Sequence, residues 1–193
     1  MVDGGANVGD LFPTATIDLV EPQPACRDAL ERLARDRRFR LHAVALGAEN
    51  AFISLAIDPG GVTTGAHVLP DIDGPGAERV SVPVARLDTL LGSEMKIEER
   101  TFLKLDLQGW ELEALKGADG VIDRMEAILL EVSFFAQAYE PTIEMLVRFL
   151  DERGFSLYDI AALGARRRDN RAHQGDFLFV RRDSPLMADR AWG

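Results

Sequence analysis

Apolar and polar positions along the chain form short runs that switch between two periodicities. "TIDLVEP" (16–22) is an apolar run stopped by Pro22, the pattern of a short buried strand. "ACRDALERLARD" follows, with Ala25, Ala29, Leu30 and Leu33 at helical spacing and Pro24 at the helix start. "FRLHAVAL" and "AFISLAID" read as two further strands, and "RVSVPVARL" as another extended stretch. Between them, from Asp58 to Arg79, Gly, Pro and Asp take over, which predicts a surface loop.

The pattern sharpens in the middle of the chain. "FLKLDL" is a strand ending at an acid, and "WELEALKGADGVIDRM" after it is amphipathic with helical period. "AILLEVS" is continuously apolar, as in a strand covered on both faces. "PTIEMLVRFLDERGF" predicts a helix with Pro141 near its start and Gly154 at its end. "SLYDIAAL" and "DFLFVRR" close the chain as two strands joined by the basic stretch "GARRRDNRAHQG". Strands alternating with helices predict an α/β domain, with a mostly parallel sheet and helices on both faces. In such sheets ligands sit at the carboxyl ends of the strands.

Composition narrows the class. The 193 residues suit one domain over residues 1–193, and 47% hydrophobic with 28% charged residues is ordinary for a folded protein. A net charge of −10 argues against a nucleic-acid partner, because phosphate binding relies on clustered Lys and Arg. One cysteine, Cys26, cannot form an internal disulfide, and no apolar run is long enough to span a bilayer. No charged-then-apolar leader precedes the glycine loop, so the expectation is a cytoplasmic protein without a membrane partner. Self-association as a homo-oligomer is left open. His42, His67 and His173 show no metal-ligand spacing, so no metal site is expected.

Three stretches carry candidate chemistry. "DGGANVG" (3–9) leaves a predicted strand through a glycine loop, where missing Cβ atoms let backbone approach a ligand. It lacks the dinucleotide fingerprint, which removes a nicotinamide-dependent oxidoreductase. Its leading acid, Asp3, suits a cationic amine better than a pyrophosphate; a plain tight turn is the competing reading. Glu21 closes the strand "TIDLV", where an acid can accept hydrogen bonds from both ribose hydroxyls. It could equally be a carboxylate favoured by the helix dipole. In "LKLDLQGWELEALKGA", Asp106 ends a strand at the same edge, and Glu131 does so in "AILLEV". Two carboxylates converging there could serve as general base or bind a cation, although Asp106 could also merely cap a helix and Glu131 be structural. Lys104 is read as a buried stem with its head in solvent, and Trp110 as packing between helix and sheet. Arg166, Arg167 and Arg168 are read as a solvated loop.

In this order, "VDGGANVG", "LVEPQP", "HAVALG", "LDTLL", "LKLDLQGWELEALKGA", "ILLEVSF" and "DFLFVRR" resemble the FkbM-type methyltransferases, which use S-adenosylmethionine. The resemblance implies a Rossmann-like methyltransferase fold, with seven strands and an antiparallel last strand. By that resemblance Asp3, Gly5, Asn7 and Gly9 line the methionine end of the cofactor. Glu21 takes the ribose hydroxyls, Val44 and Ala45 flank adenine, and Asp106 lies near the amine or the reacting methyl. The implied acceptor is a hydroxyl on a sugar or natural product, with Asp106 and Glu131 as candidates to take its proton. Two departures accompany this. Only Met1 and Val2 precede Asp3, and only "DLFPTAT" separates Gly9 from Ile17, too short for a full crossover helix. The first crossover helix is therefore expected to be shortened or missing, with Val2, Ile17 and Leu19 underpacked. The alternative function is a non-catalytic cofactor-binding or scaffold domain with a degraded site.

Overall fold

A computed structural model describes residues 2–4, 14–57, 67–68, 78–92, 101–135 and 141–189. The larger of its two sheets has seven strands. At its centre are β1 (Val2–Gly4) and β8 (Thr101–Leu105), paired parallel to each other. On one side β1 is followed by β2 (Ile17–Val20) and β3 (Phe39–His42), both parallel. On the other, β8 pairs parallel with β9 (Met125–Ser133). Beyond β9 the direction alternates: β11 (Ala172–Arg181) runs antiparallel to β9, and the edge strand β10 (Phe155–Ala165) runs antiparallel to β11.

A second sheet holds four strands, β4 (Ala45–Leu46), β7 (Glu78–Ala85), β5 (Ala51–Ile57) and β6 (His67–Val68) in that order. Nothing in the residue pattern marks it as a separate layer. "AFISLAID" and "RVSVPVARL" pair antiparallel with one another, Ile53 opposite Val82 and Leu55 opposite Val80, rather than each joining the main sheet through a helical crossover. Their inward residues form a small core of Ala45, Leu55, Val82 and Val84.

The expected Rossmann-like architecture, one mostly parallel sheet with helices on both faces, is therefore corrected. The strands are divided between two sheets. The larger is mixed, its longest strands β10 and β11 lying in the antiparallel part. The helices are few and short. Those among the described residues are α1 (Arg27–Leu33), α2 (Leu87–Leu91), α3 (Glu111–Lys116) and α4 (Ile143–Asp151). Hairpin-type pairing needs no crossover helix, which is why a strand-rich chain can carry so little helix.

Particular helices show how packing overrode pattern. In α1 only Leu30 is buried, and Leu33 is 48% exposed despite its helical spacing. The amphipathic stretch from Trp110 yields just α3 and a later single turn at Ile122–Arg124. Gly117 follows α3, and a Cβ there would lie 2.0 Å from the Gly47 carbonyl oxygen, so the close approach of the β4 end to the helix requires glycine. The α4 expectation holds in detail. Thr142 caps its start by accepting from Met145 N–H, Leu146 and Leu150 are buried one turn apart, and Gly154 leaves at φ 86°.

Most of the core joins Leu103, Leu105, Leu115, Met125, Ile128, Leu130, Phe155 and Phe179 around β8, β9 and β11. A smaller cluster of Ile17, Leu19, Leu30 and Phe39 fills the β2–β3 side. Ile17 and Leu19 are fully buried there, so the expected underpacking does not occur at these two residues. The side chain of Val2, the shortened crossover at 9–17 up to residue 13, and most of the 58–79 loop lie outside the described residues.

Candidate active site at the carboxyl edge of the main sheet

Strand register brings the candidate acids to one edge. His42 is opposite Val20, Val20 opposite Gly4, Gly4 opposite Leu105 and Leu105 opposite Leu130. The residues that follow three of these, Glu21, Asp106 and Glu131, therefore come off one row across the sheet. Asp3 lies in β1, paired with Leu19 and Lys104, while Gly5, Asn7 and Gly9 lie outside the described residues. Val44 is partly buried against the main core and Ala45 is buried in β4, just past the end of β3.

Glu21 is half-buried, and its Oε1 accepts from the Gln23 backbone N–H at 2.8 Å. Burial raises its pKa, and the Gln23 hydrogen bonds oppose that rise only in part. One oxygen of this carboxylate thus braces the turn that leads into α1.

Asp106 and Glu131 are tied together by amides. The Gln108 side-chain nitrogen donates to Asp106 Oδ1 at 3.0 Å and to Glu131 Oε2 at 2.8 Å. Gln174, on β11, donates to Glu131 Oε1 at 2.7 Å. Lys104 reaches Asp106 Oδ2 at 3.4 Å with its side chain only 13% exposed, so its head is turned into this cluster rather than out to solvent. Glu131 is pushed up to about 7, first by burial and then by the charges of Asp106 and Glu111. A hydrogen bond to Asp106, which Glu131 can donate only when protonated, adds to the rise.

Beneath them lies an acid that sequence reasoning passed over. Glu111 is 2% exposed, and burial raises it to about 7 against the pull of nearby backbone N–H groups. Its Oε1 accepts from the backbone N–H of Leu107 at 2.8 Å and of Gly109 at 3.3 Å. These bonds close a tight turn in which Gln108 (φ 53°) and Gly109 (φ 95°) are both left-handed. Gly109 is the second of the pair, a conformation glycine adopts without steric cost. Gly109, Glu111, Glu131, Ser133, Pro141 and Leu146 line a small cleft at this edge. The signal that could have found Glu111 is its place in the first turn of a helix directly after a glycine turn.

Trp110 occupies the position before α3 and is partly buried, and its buried indole nitrogen has no hydrogen-bond partner among the described residues. Arg167 and Arg168 lie exposed in a turn, as expected of a solvated loop, whereas Arg166 bonds Asp169 and, with Arg171, lies over the Phe135 ring. Among the described residues no cluster of three or more His, Cys, Asp or Glu could hold a metal ion, and no helix is long and apolar enough to cross a membrane.

The methyltransferase FkbM domain family matches residues 3–157, and the chain belongs to it. It is also similar to a protein named Methyltransferase 1 from Beauveria bassiana (strain ARSEF 2860), 29% identical over 144 residues. That match covers 62% of this chain and 58% of the relative, so the chain spans a little over half of that protein's length. No solved structure matches the chain significantly. Family and relative together make this a methyltransferase-type domain.

Proposed function

We propose that the chain transfers a methyl group from S-adenosylmethionine to a hydroxyl group of a sugar or small natural product. The observation that carries this reading is the row formed by Glu21 and Asp106, which directly follow β2 and β8, and Glu131, near the carboxyl end of β9. When bound, S-adenosylmethionine supplies an electrophilic methyl on a positively charged sulfur. The acids fit such a cation electrostatically, with Lys104 already bonded to Asp106. In this reading Asp3, Gly5, Asn7 and Gly9 line the methionine end, Glu21 accepts from the ribose hydroxyls, and Val44 and Ala45 flank the adenine.

Asp106 and Glu131 then serve the acceptor. As the acceptor oxygen takes the methyl, its proton passes to a carboxylate within reach. A carboxylate with a pKa near 7 is well matched to that task at neutral pH, and Glu131 meets the condition. Glu131 and Ser133 line a small cleft, and in this reading the acceptor hydroxyl is aligned at its mouth.

Calorimetric titration with S-adenosylhomocysteine tests the reading. One-to-one binding is expected, and Glu21→Ala is expected to weaken it about 10- to 100-fold with little change in folding. A folded protein that does not bind would belong with non-catalytic scaffold domains. Lost stability with unchanged affinity in Glu21→Ala would reduce Glu21 to a brace for the Gln23 turn.

A further inference from the structure

Gln174 is not part of the segment matched by the methyltransferase family, which ends at residue 157. It arrives from β11, 43 residues beyond Glu131, because antiparallel pairing sets Gln174 opposite Ser133 and Asp176 opposite Glu131. From there its side-chain nitrogen reaches Glu131 Oε1 at 2.7 Å. The other oxygen, Oε2, is met by Gln108 from the opposite side at 2.8 Å. Both oxygens of one half-buried carboxylate thus face the nitrogens of neutral amides. Turned the other way, either amide would set its own oxygen against a carboxylate oxygen, a repulsive contact, so the chemistry itself selects the nitrogen.

We propose that Gln174 is a positioning residue for Glu131, the distal half of an amide clamp whose proximal half is Gln108. The clamp orients the carboxylate toward the cleft and supports its ionised form without supplying a charge. It rests on the reading of Glu131 as the proton acceptor. Two opposing influences meet at this group. Burial and the charges of Asp106, Glu111 and Asp176 favour the neutral acid, and Lys104, the cation that meets this cluster among the described residues, is bonded to Asp106. Two amide donors favour the anion. An arginine in place of either glutamine would form a lasting ion pair and hold the carboxylate ionised. Amides leave it able to take up and release a proton near neutrality. Gln108 also donates to Asp106, so the clamp spans both carboxylates and fixes their separation.

The test is a titration that needs no acceptor. Protein labelled with carboxyl-13C glutamate is followed by NMR from pH 4 to 9, with the Glu131 signal assigned by its loss in Glu131→Gln. In Gln174→Met, which keeps the side chain's length and removes the donor, the Glu131 midpoint is expected to rise by about one pH unit. An unmoved midpoint in a cooperatively folded variant overturns the proposal. Should Gln174→Met not fold, Gln174→Asn, one methylene too short to reach Glu131, carries the same expectation and the same refutation. S-adenosylhomocysteine titration runs alongside on the unaltered protein and the variant. A raised midpoint with no binding by either would retain the clamp and refute the methyl-transfer reading. Binding by both with an unmoved midpoint would do the reverse.

Discussion

The main sheet buries carboxylates in two places, and their neighbours drive them in opposite directions. Asp18, in β2, is 4% exposed, yet it accepts from Arg40 at 2.6 Å and stands 2.8 Å from His42 Nε2. Burial would raise it, but the hydrogen bonds and charges of His42 and Arg40 outweigh burial, and its pKa falls below the ordinary aspartate value. Glu111 and Glu131 are surrounded instead by Asp106, Asp176, amides and backbone N–H groups, and both rise to about 7. Burial acts the same way at both places; what differs is whether a cation accompanies the acid. The first arrangement holds two strands together. The second leaves acids whose pKa values lie near neutral pH, as the proposed proton acceptor requires.

The largest expected effect comes from breaking the second place at its base. At pH 5 Glu111→Leu should cost about 3 kcal/mol in chemical denaturation, since the N–H groups of Leu107 and Gly109 lose their acceptor inside a buried turn. Glu111→Gln keeps an oxygen for both bonds, so it should stay close to the unaltered protein at pH 5. The sign of the pH effect follows from the raised pKa. The stabilising contribution of a raised acid is complete below its unfolded value of 4.5 and is lost as pH climbs through about 7. Glu111→Gln should therefore flatten the decline in stability between pH 5 and 8; an unchanged slope would mean Glu111 ionises freely in the fold.

A smaller loss, about 2 kcal/mol at pH 7, is expected from Arg40→Met, which strips the guanidinium from Asp18. Here the sign is opposite. A lowered acid stabilises above its unfolded value of 3.8 and loses that contribution as pH falls through its folded value. The gap between the variant and the unaltered protein should accordingly close on acidification, as read by urea unfolding at pH 7 and pH 3. A gap that persists unchanged at pH 3 would mean that Arg40 acts through packing alone.

The smallest effect sharpens the contrast without unfolding anything. Asp106→Asn removes one of the charges that raises Glu131, so the Glu131 midpoint should fall by about one pH unit in the same carboxyl titration. Should it stay near 7, burial and the other acids set that value and the two carboxylates are not a pair.

Sequence patterning reached the elements whose partners are close along the chain. β8 followed by Asp106, β9 with Glu131, and α4 with Pro141 near its start and Gly154 at its exit were readable because strand and helix periods are local. So was membership of the FkbM family, carried by "VDGGANVG" and "LKLDLQGWELEALKGA". What stayed hidden depends on distant pairing. Nothing in "AFISLAID" says that it will meet "RVSVPVARL" in a second sheet, because antiparallel and crossover connections use the same alternating residues. Asp18 finds Arg40 and His42 only because β2 and β3 lie in register.

The chain's own residues therefore determined where acids would end strands, which family the domain belongs to, and which turns required glycine, since each follows from a few neighbouring side chains. Tertiary structure alone decided what those acids experience. Ionisation depends on the charges and dipoles within a few ångströms, and for Glu131 the nearest of these, Gln174, lies 43 residues away along the chain.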